Sequence, residues 1–270
     1  MSYLKKNLLF MYFLFLGGCM NKEKANIPQE GDVVIWKQNN NLVVKAKLGE
    51  RRIHIFDQFD SEFYRPEREH YLGQFPINYI PEKFASITQK EIDSLPMPDS
   101  NRQLQFNLIL RNSSFQATDG YVPDHKNQVR VKIEGLTIDM REQKLDTHKI
   151  MLNNFSSKYV DLKSKFKKNG LDCYKRNISD KAFFCYGYSK NKDVTGVFLD
   201  VLASENTSDN HFIQIYGNSY EPNKYGGVWV QWETNLNNWE DWQEIDNAIW
   251  RLLDVWNVAP LEVKSKNTRK

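Results

Sequence analysis

From Gly31 to Glu233 the apolar residues come in short runs with turn residues between them, and that spacing restricts the chain to a sheet protein. Val33-Val34-Ile35-Trp36, Leu42-Val43-Val44 and Ile53-His54-Ile55-Phe56 are β-branched or aromatic stretches of strand length, parted by Asn39-Asn40 and Gly49-Glu50. Such runs with Asn and Gly breaks read as the strands and turns of a meander. Leu104–Leu110 and Val129–Ile133 continue the pattern, the latter alternating Val129, Val131 and Ile133 with Arg130, Lys132 and Glu134. That alternation describes a sheet with one face buried and one wet. Leu171–Arg176 and Ala182–Tyr188 flank Asn177–Lys181 as a hairpin would, and strands are expected again at Val197–Leu202, Phe212–Tyr216 and Val228–Glu233. The turns between these last three fall at Asn206–Asn210 and Asn218–Gly227.

One stretch carries a sustained helical period. Trp242, Ile245, Ile249, Leu252, Leu253 and Trp256 recur on one face. Asn238 is the expected N-cap, Glu240 and Asp241 put negative charge in the first turn, and Asn257 and Pro260 close the helix. The fold class that follows is α+β: mostly antiparallel β-sheet in two lobes, 31–150 and 151–260, with the C-terminal amphipathic helix packed on the second sheet. Residues 57–102 hold five prolines and little periodicity, and read as an irregular connection with one short helix near Gln89–Leu95 after Thr88. Residues 140–168 read as loose, with Lys163, Lys165, Lys167 and Lys168 forming a solvated face or an anionic contact surface.

The N-terminus fixes the compartment. Lys5 and Lys6 precede an apolar run from Leu8 to Leu16, which is a signal-peptide pattern and well short of the roughly 20 residues that span a bilayer. Leu16-Gly17-Gly18-Cys19 resembles the lipobox of bacterial lipoproteins, in which the chain is cut before the cysteine and the thiol is lipidated. The resemblance implies a signal peptide over 1–18, lipid on Cys19, a tether over 19–30 and, with Met at position 20, outer-membrane attachment facing the periplasm. A basic tail follows from 261 to 270. Removing residues 1–18 takes Lys5 and Lys6 from 37 basic residues and nothing from 34 acidic ones. A chain that close to neutral is not built for nucleic acid, whose phosphates need clustered positive charge.

Two cysteines remain, Cys173 and Cys185. In an oxidising compartment they are a disulfide candidate across the expected hairpin, the alternative being two buried free thiols. No His lies near them to complete a metal site. His54, His70, His125, His148 and His211 form no HExxH or close ligand pair, and no nucleophile elbow, phosphate loop or dinucleotide fingerprint is present. Asp57, Asp60 and Glu62 follow the expected strand at 53–56 and read as a solvated acidic group rather than paired catalytic carboxylates. Asn112, Asn154, Asn177 and Asn206 open Asn-x-Ser/Thr triplets, which in a bacterial lipoprotein are chance matches. The reading is a non-enzyme with no cofactor and no metal.

The unusual concentration is tryptophan, with six of seven at 229, 232, 239, 242, 250 and 256. Trp229 and Trp232 fall on opposite faces of one strand, and Trp239 and Trp250 fall off the helical stripe. They are either a Trp-rich core or interface anchors.

Leu171-Asp172-Cys173-Tyr174-Lys175-Arg176, Phe184-Cys185-Tyr186-Gly187, Tyr225-Gly226-Gly227-Val228-Trp229-Val230-Gln231-Trp232-Glu233-Thr234 and the run from Trp242 to Asn257 together resemble bacterial lipoproteins encoded beside type VI secretion lipase effectors. Those are immunity proteins that bind a phospholipase toxin in the periplasm. The resemblance covers about 170–258 and implies a secreted lipase effector as cognate partner, with the membrane reached only through Cys19. It supplies no contact residues. Tyr220, Tyr225 and Trp239 are expected to contribute to partner binding, as aromatics at exposed turns beside the last strand and helix. The competing readings are an envelope-assembly lipoprotein, a small-molecule binder using segment 57–102, and an enzyme on lipid or peptidoglycan.

Overall fold

The computed structural model describes residues 29–49, 70–97, 103–110, 127–136, 158–203 and 214–260. The leader, Cys19, the strand expected at 53–56, the acidic group at 57–62, His54, His125, His148, His211 and the basic tail lie outside the described residues, as do Asn112, Asn154 and Asn206.

Strands β1 (Val33–Asn39) and β2 (Leu42–Lys47) form a hairpin. Strands β3 (His70–Pro76), β4 (Leu104–Ile109), β5 (Gln128–Gly135), β6 (Val160–Lys168), β7 (Leu171–Arg176), β8 (Ser179–Gly187), β9 (Val197–Leu202), β10 (Ile215–Glu221) and β11 (Val228–Thr234) form one nine-stranded sheet in the order β3-β4-β5-β11-β10-β9-β8-β7-β6. Pairing is antiparallel except between β3 and β4. From β6 to β11 the chain is an unbroken meander. β11 then pairs with β5 from Val228↔Gly135 to Thr234↔Val129, so the segments on either side of residue 150 meet in one sheet.

The period-two pattern of the strands sets the two faces. Val129, Val131, Ile133, Val228, Val230, Trp232, Leu199 and Val201 point to the core, where helix α2 (Trp242–Trp256) lies across them through Trp242, Ile245, Ile249, Leu252, Leu253 and Trp256. The β1–β2 hairpin is held to the end of α2 by the Asn257 side chain, which accepts from the Val43 N–H at 3.1 Å, while the Val258 N–H donates to the Val43 carbonyl at 2.8 Å. The short helix α1 (Gln89–Ser94) begins at Thr88, the expected cap, which also forms a reciprocal capping box with Glu91.

Four local expectations change. α2 is not capped by Asn238. Asn235 instead caps a 3-10 turn over Leu236–Asp241, accepting from the Asn237 N–H at 3.0 Å, and Asn238 is fully buried, donating to Thr234 Oγ1 at 2.7 Å. β3 falls inside the segment read as irregular, because Gly73 and Pro76 mask it. Gly73 has φ +100° and packs backbone to backbone against Gly49, where no Cβ fits. β10 runs to Glu221, through residues expected to turn, because Gly217 is a strand glycine that makes room for Trp232. β6 takes up the lysine cluster, whose charges suit the rim of a sheet.

Candidate partner-binding surface

Tyr220, Tyr225 and Trp239 are not at exposed turns: they are 5%, 0% and 5% accessible. For Tyr225 the cause is the turn between β10 and β11. The Glu221 carboxylate, itself fully buried, accepts from the N–H groups of Asn223 (2.6 Å), Lys224 and Tyr225 (2.7 Å), and so folds the turn inward. Gly226 and Gly227 supply the left-handed backbone, with φ +75° and +88°. Tyr225 is thereby stacked on Trp250 at 6.1 Å with its hydroxyl donating to Asp254, and burial, then the Asp254 carboxylate, pushes its phenol up. Trp239 lies against Phe183 at 6.2 Å beneath Lys168, whose ammonium stands 4.3 Å from the ring. The aromatic character that suggested contact serves packing at these positions.

Tyr220 belongs to the face of the sheet opposite α2. It is stacked between Trp229 (5.7 Å) and Phe198 (6.1 Å), and burial pushes its phenol up to about 12. Phe198 joins this row to a second cluster of Val160, Tyr174, Phe184 and Tyr186, so an aromatic band crosses from β11 to β7. Tyr188 continues it at 72% exposure. Charges on this face are balanced in pairs: Arg130 with Glu233, Lys132 with Glu134 at 2.6 Å, and Arg176 with both Asp200 oxygens at 3.1 Å. Burial raises the Asp200 carboxyl against the lowering pull of Arg176. Trp250, off the expected stripe, is buried and donates to Ser219 Oγ and Asp246 Oδ1, each at 3.1 Å. Among the described residues, no three His, Cys, Asp or Glu side chains gather to hold a metal.

The lysine cluster, expected as a solvated face or an anionic contact surface, forms the rim at β6. Lys158, Lys163, Lys165, Lys167 and Lys168 are all exposed there. Asp172 pairs with Lys165 at 3.1 Å and lies 3.9 Å from Lys167, and Asp180 pairs with Lys175 at 3.4 Å. Lys163 has no carboxylate partner among the described residues. Tyr159, Leu162 and Ile178 stand beside these charges at 45%, 47% and 68% exposure. The readable signal was the alternation Lys163, Lys165, Lys167, which is a strand period.

Cys173 and Cys185 are directly opposite in the β7–β8 ladder, fully buried and disulfide-bonded. No helix among the described residues is long and apolar enough to cross a membrane. No family model and no curated protein matches the sequence. Among solved structures, an immunity protein of the Stenotrophomonas maltophilia type IV secretion system is similar at 9% identity and a TM-score of 0.36, over 60% of this chain and 84% of that one. That overlap is too low to carry the solved protein's role to this chain.

Proposed function

We propose that this chain is the immunity partner of a type VI secretion lipase effector, a periplasmic lipoprotein held to the outer membrane through Cys19 that binds the toxin and blocks it without chemistry of its own. The observation that carries this reading is the spaced set from Leu171 to Asn257 and its resemblance to such lipoproteins. The residues of that set lie next to one another in the fold. Cys173 and Cys185 join β7 to β8, Gly187 packs against Leu171 and Trp242, and Trp232 packs against Gly217. They are the frame, so the likeness speaks for a shared scaffold, and the toxin contacts lie on exposed positions outside it. The leader supports the compartment in which a secreted lipase would be met.

A stoichiometric inhibitor needs rigidity and a surface of roughly 1,200–2,000 Å². A nine-stranded sheet backed by one helix and tied by a disulfide supplies the rigidity. The test is co-purification of residues 20–270 with the lipase encoded beside the gene, followed by a lipase assay of the mixture. A stable complex with lost activity is expected. Absence of both binding and inhibition removes the reading.

A further inference from the structure

We infer that the basic rim at β6, with Lys158 and Lys163 flanking Tyr159 and Leu162 at one end and Lys167 farther along the strand, is the surface on which an acidic face of the toxin docks. The inference rests on the immunity reading and names the chemistry of the partner.

Charge is the first argument. Residues 158–181 hold seven Lys against Asp161, Asp172 and Asp180, with Arg176 already paired to Asp200, in a chain that is near neutral once the leader is removed. The excess is local, so the rest of the chain carries a slight negative balance. Two of the three carboxylates are already used by Lys165 and Lys175, and the Asp161 side chain is turned to the backbone N–H of Lys163 at 2.9 Å. Lys158, Lys163 and Lys168 are left without a carboxylate ion pair among the described residues. Clustered charge of one sign speeds encounter with a surface of the other.

Lysines on a rim strand are also the common guard against edge-to-edge aggregation. A guard has no use for exposed apolar side chains, and here Tyr159, Leu162 and Ile178 stand among the charges. Apolar anchors within a polar ring are the layout of a protein interface.

The geometry selects a docked face over an added strand. The β6–β7 register shifts between Asp161 and Phe166, where Ser164 Oγ takes the Lys175 N–H at 2.8 Å. The bulge bends the strand and breaks the straight edge that another strand would need. It also spreads the lysines, with Lys165 and Lys167 near Asp172 on the outer face and Lys168 over Trp239 on the other.

The described chain begins beside the β1–β2 hairpin, and Gln38 of β1 lies against Gly135 of β5. β6 is six strand spacings from β5, roughly 29 Å at the usual separation. The rim thus lies far along the sheet from β5, against which the first hairpin packs.

The experiment measures association and dissociation rates of residues 20–270 with the lipase over a range of salt, for the natural chain, K158E/K163E/K167E, L162S/I178S and the distant control K83E/K90E. All four are checked for fold by circular dichroism. The charge reversal leaves the Lys165–Asp172 pair intact. Expected results are an on-rate at least 10-fold slower with a flattened salt dependence for the reversal, an off-rate at least 10-fold faster for L162S/I178S, and affinity within twofold of the natural chain for the control. Should the reversal prove unfolded, L162S/I178S carries the test. Folded rim variants that bind and inhibit like the natural chain overturn the rim while leaving immunity standing. A natural chain that binds no lipase overturns both. Vesicles of phosphatidylglycerol form a further arm: rim-dependent binding to them, with lipase affinity unmoved, assigns the rim to a membrane and overturns the proposal.

Discussion

Gly217 lies directly opposite Trp232 in the β10–β11 ladder, and the indole occupies the space in which a side chain at 217 would begin. A cross-strand glycine covered by an aromatic keeps the strand where bare glycine would weaken it. Trp232 is 1% accessible and sits under α2, so it has nowhere to move. Gly217→Ala is expected to cost about 3 kcal/mol through overpacking. In a protein of this size that lowers Tm by roughly 6–12 °C. Trp232→Leu in the same chain should relieve part of the cost, so the double variant loses less than the sum of the singles. Strict additivity in thermal melts would show that the two positions do not meet.

The Cys173–Cys185 bond joins two core-facing positions of neighbouring strands that are 12 positions apart in sequence. A loop that short gives about 3 kcal/mol in the loop-entropy account. Cys173→Ala with Cys185→Ala is expected to lower stability by that order in urea. Both sulfurs are buried, so reductant alone should leave the native bond intact, and thiol labelling should appear only as denaturant opens the sheet. Rapid labelling of the native protein after mild reduction would contradict the burial.

How much of this was legible in the sequence follows from where the decisive partner lies. β1, β2, β4, β5, β7, β8, β9 and β11 announce themselves as short apolar runs between turn residues, alternating most clearly in β5, and Thr88 with Glu91 is a signal complete in four residues. β3 was hidden, and β10 was expected to stop at Tyr216, because Gly73 and Gly217 are explained only by Gly49 and Trp232, which are distant in the chain. Asn235 and Asn238 are equally able to cap a helix. The choice is made by Thr234, which claims Asn238. The site was less legible than the fold. Tyr220, Tyr225 and Trp239 sit beside turn residues, and nothing local says that Glu221 folds Tyr225 inward, that Trp229 and Phe198 cover Tyr220, or that Phe183 covers Trp239. The rim at β6 was visible as alternating lysines, but its place at the end of a nine-stranded sheet was not.

Glu221 gives the next expectation. Its carboxylate holds three consecutive backbone N–H groups, those of Asn223, Lys224 and Tyr225, in a buried position. Burial raises its carboxyl against those bonds. Glu221→Ala strands donors that the fold has closed off from water, at an expected cost of about 3 kcal/mol. Glu221→Gln keeps one acceptor oxygen and should recover part of it. Amide exchange at residues 223–225 should quicken in Glu221→Ala well beyond the global loss. Unchanged protection at those three amides would remove the carboxylate from its role.

Asp246 sets a dependence on pH. It is fully buried on α2, accepts from Ser189 Oγ and from Trp250 Nε1, and burial pushes its carboxyl up to about 6 against the lowering pull of Ser189, Ser219 and Trp250. An unfolded Asp titrates near 3.9, so the folded state holds this proton more tightly than the unfolded state does. Its favourable contribution is complete below about pH 4 and is lost as pH climbs through about 6. Asp246→Asn has no proton to lose there. The stability of Asp246→Asn minus that of the natural chain should therefore rise between pH 4 and pH 7 by of order 2–3 kcal/mol and then level off. Glu221 and Asp200 are also raised, but they titrate in both proteins, so their slopes cancel in the difference. Urea denaturation of the two proteins at pH 4, 5, 6, 7 and 8 measures it. A difference that stays constant across that range would mean that Asp246 titrates as it does in water, and that burial on α2 does not govern it.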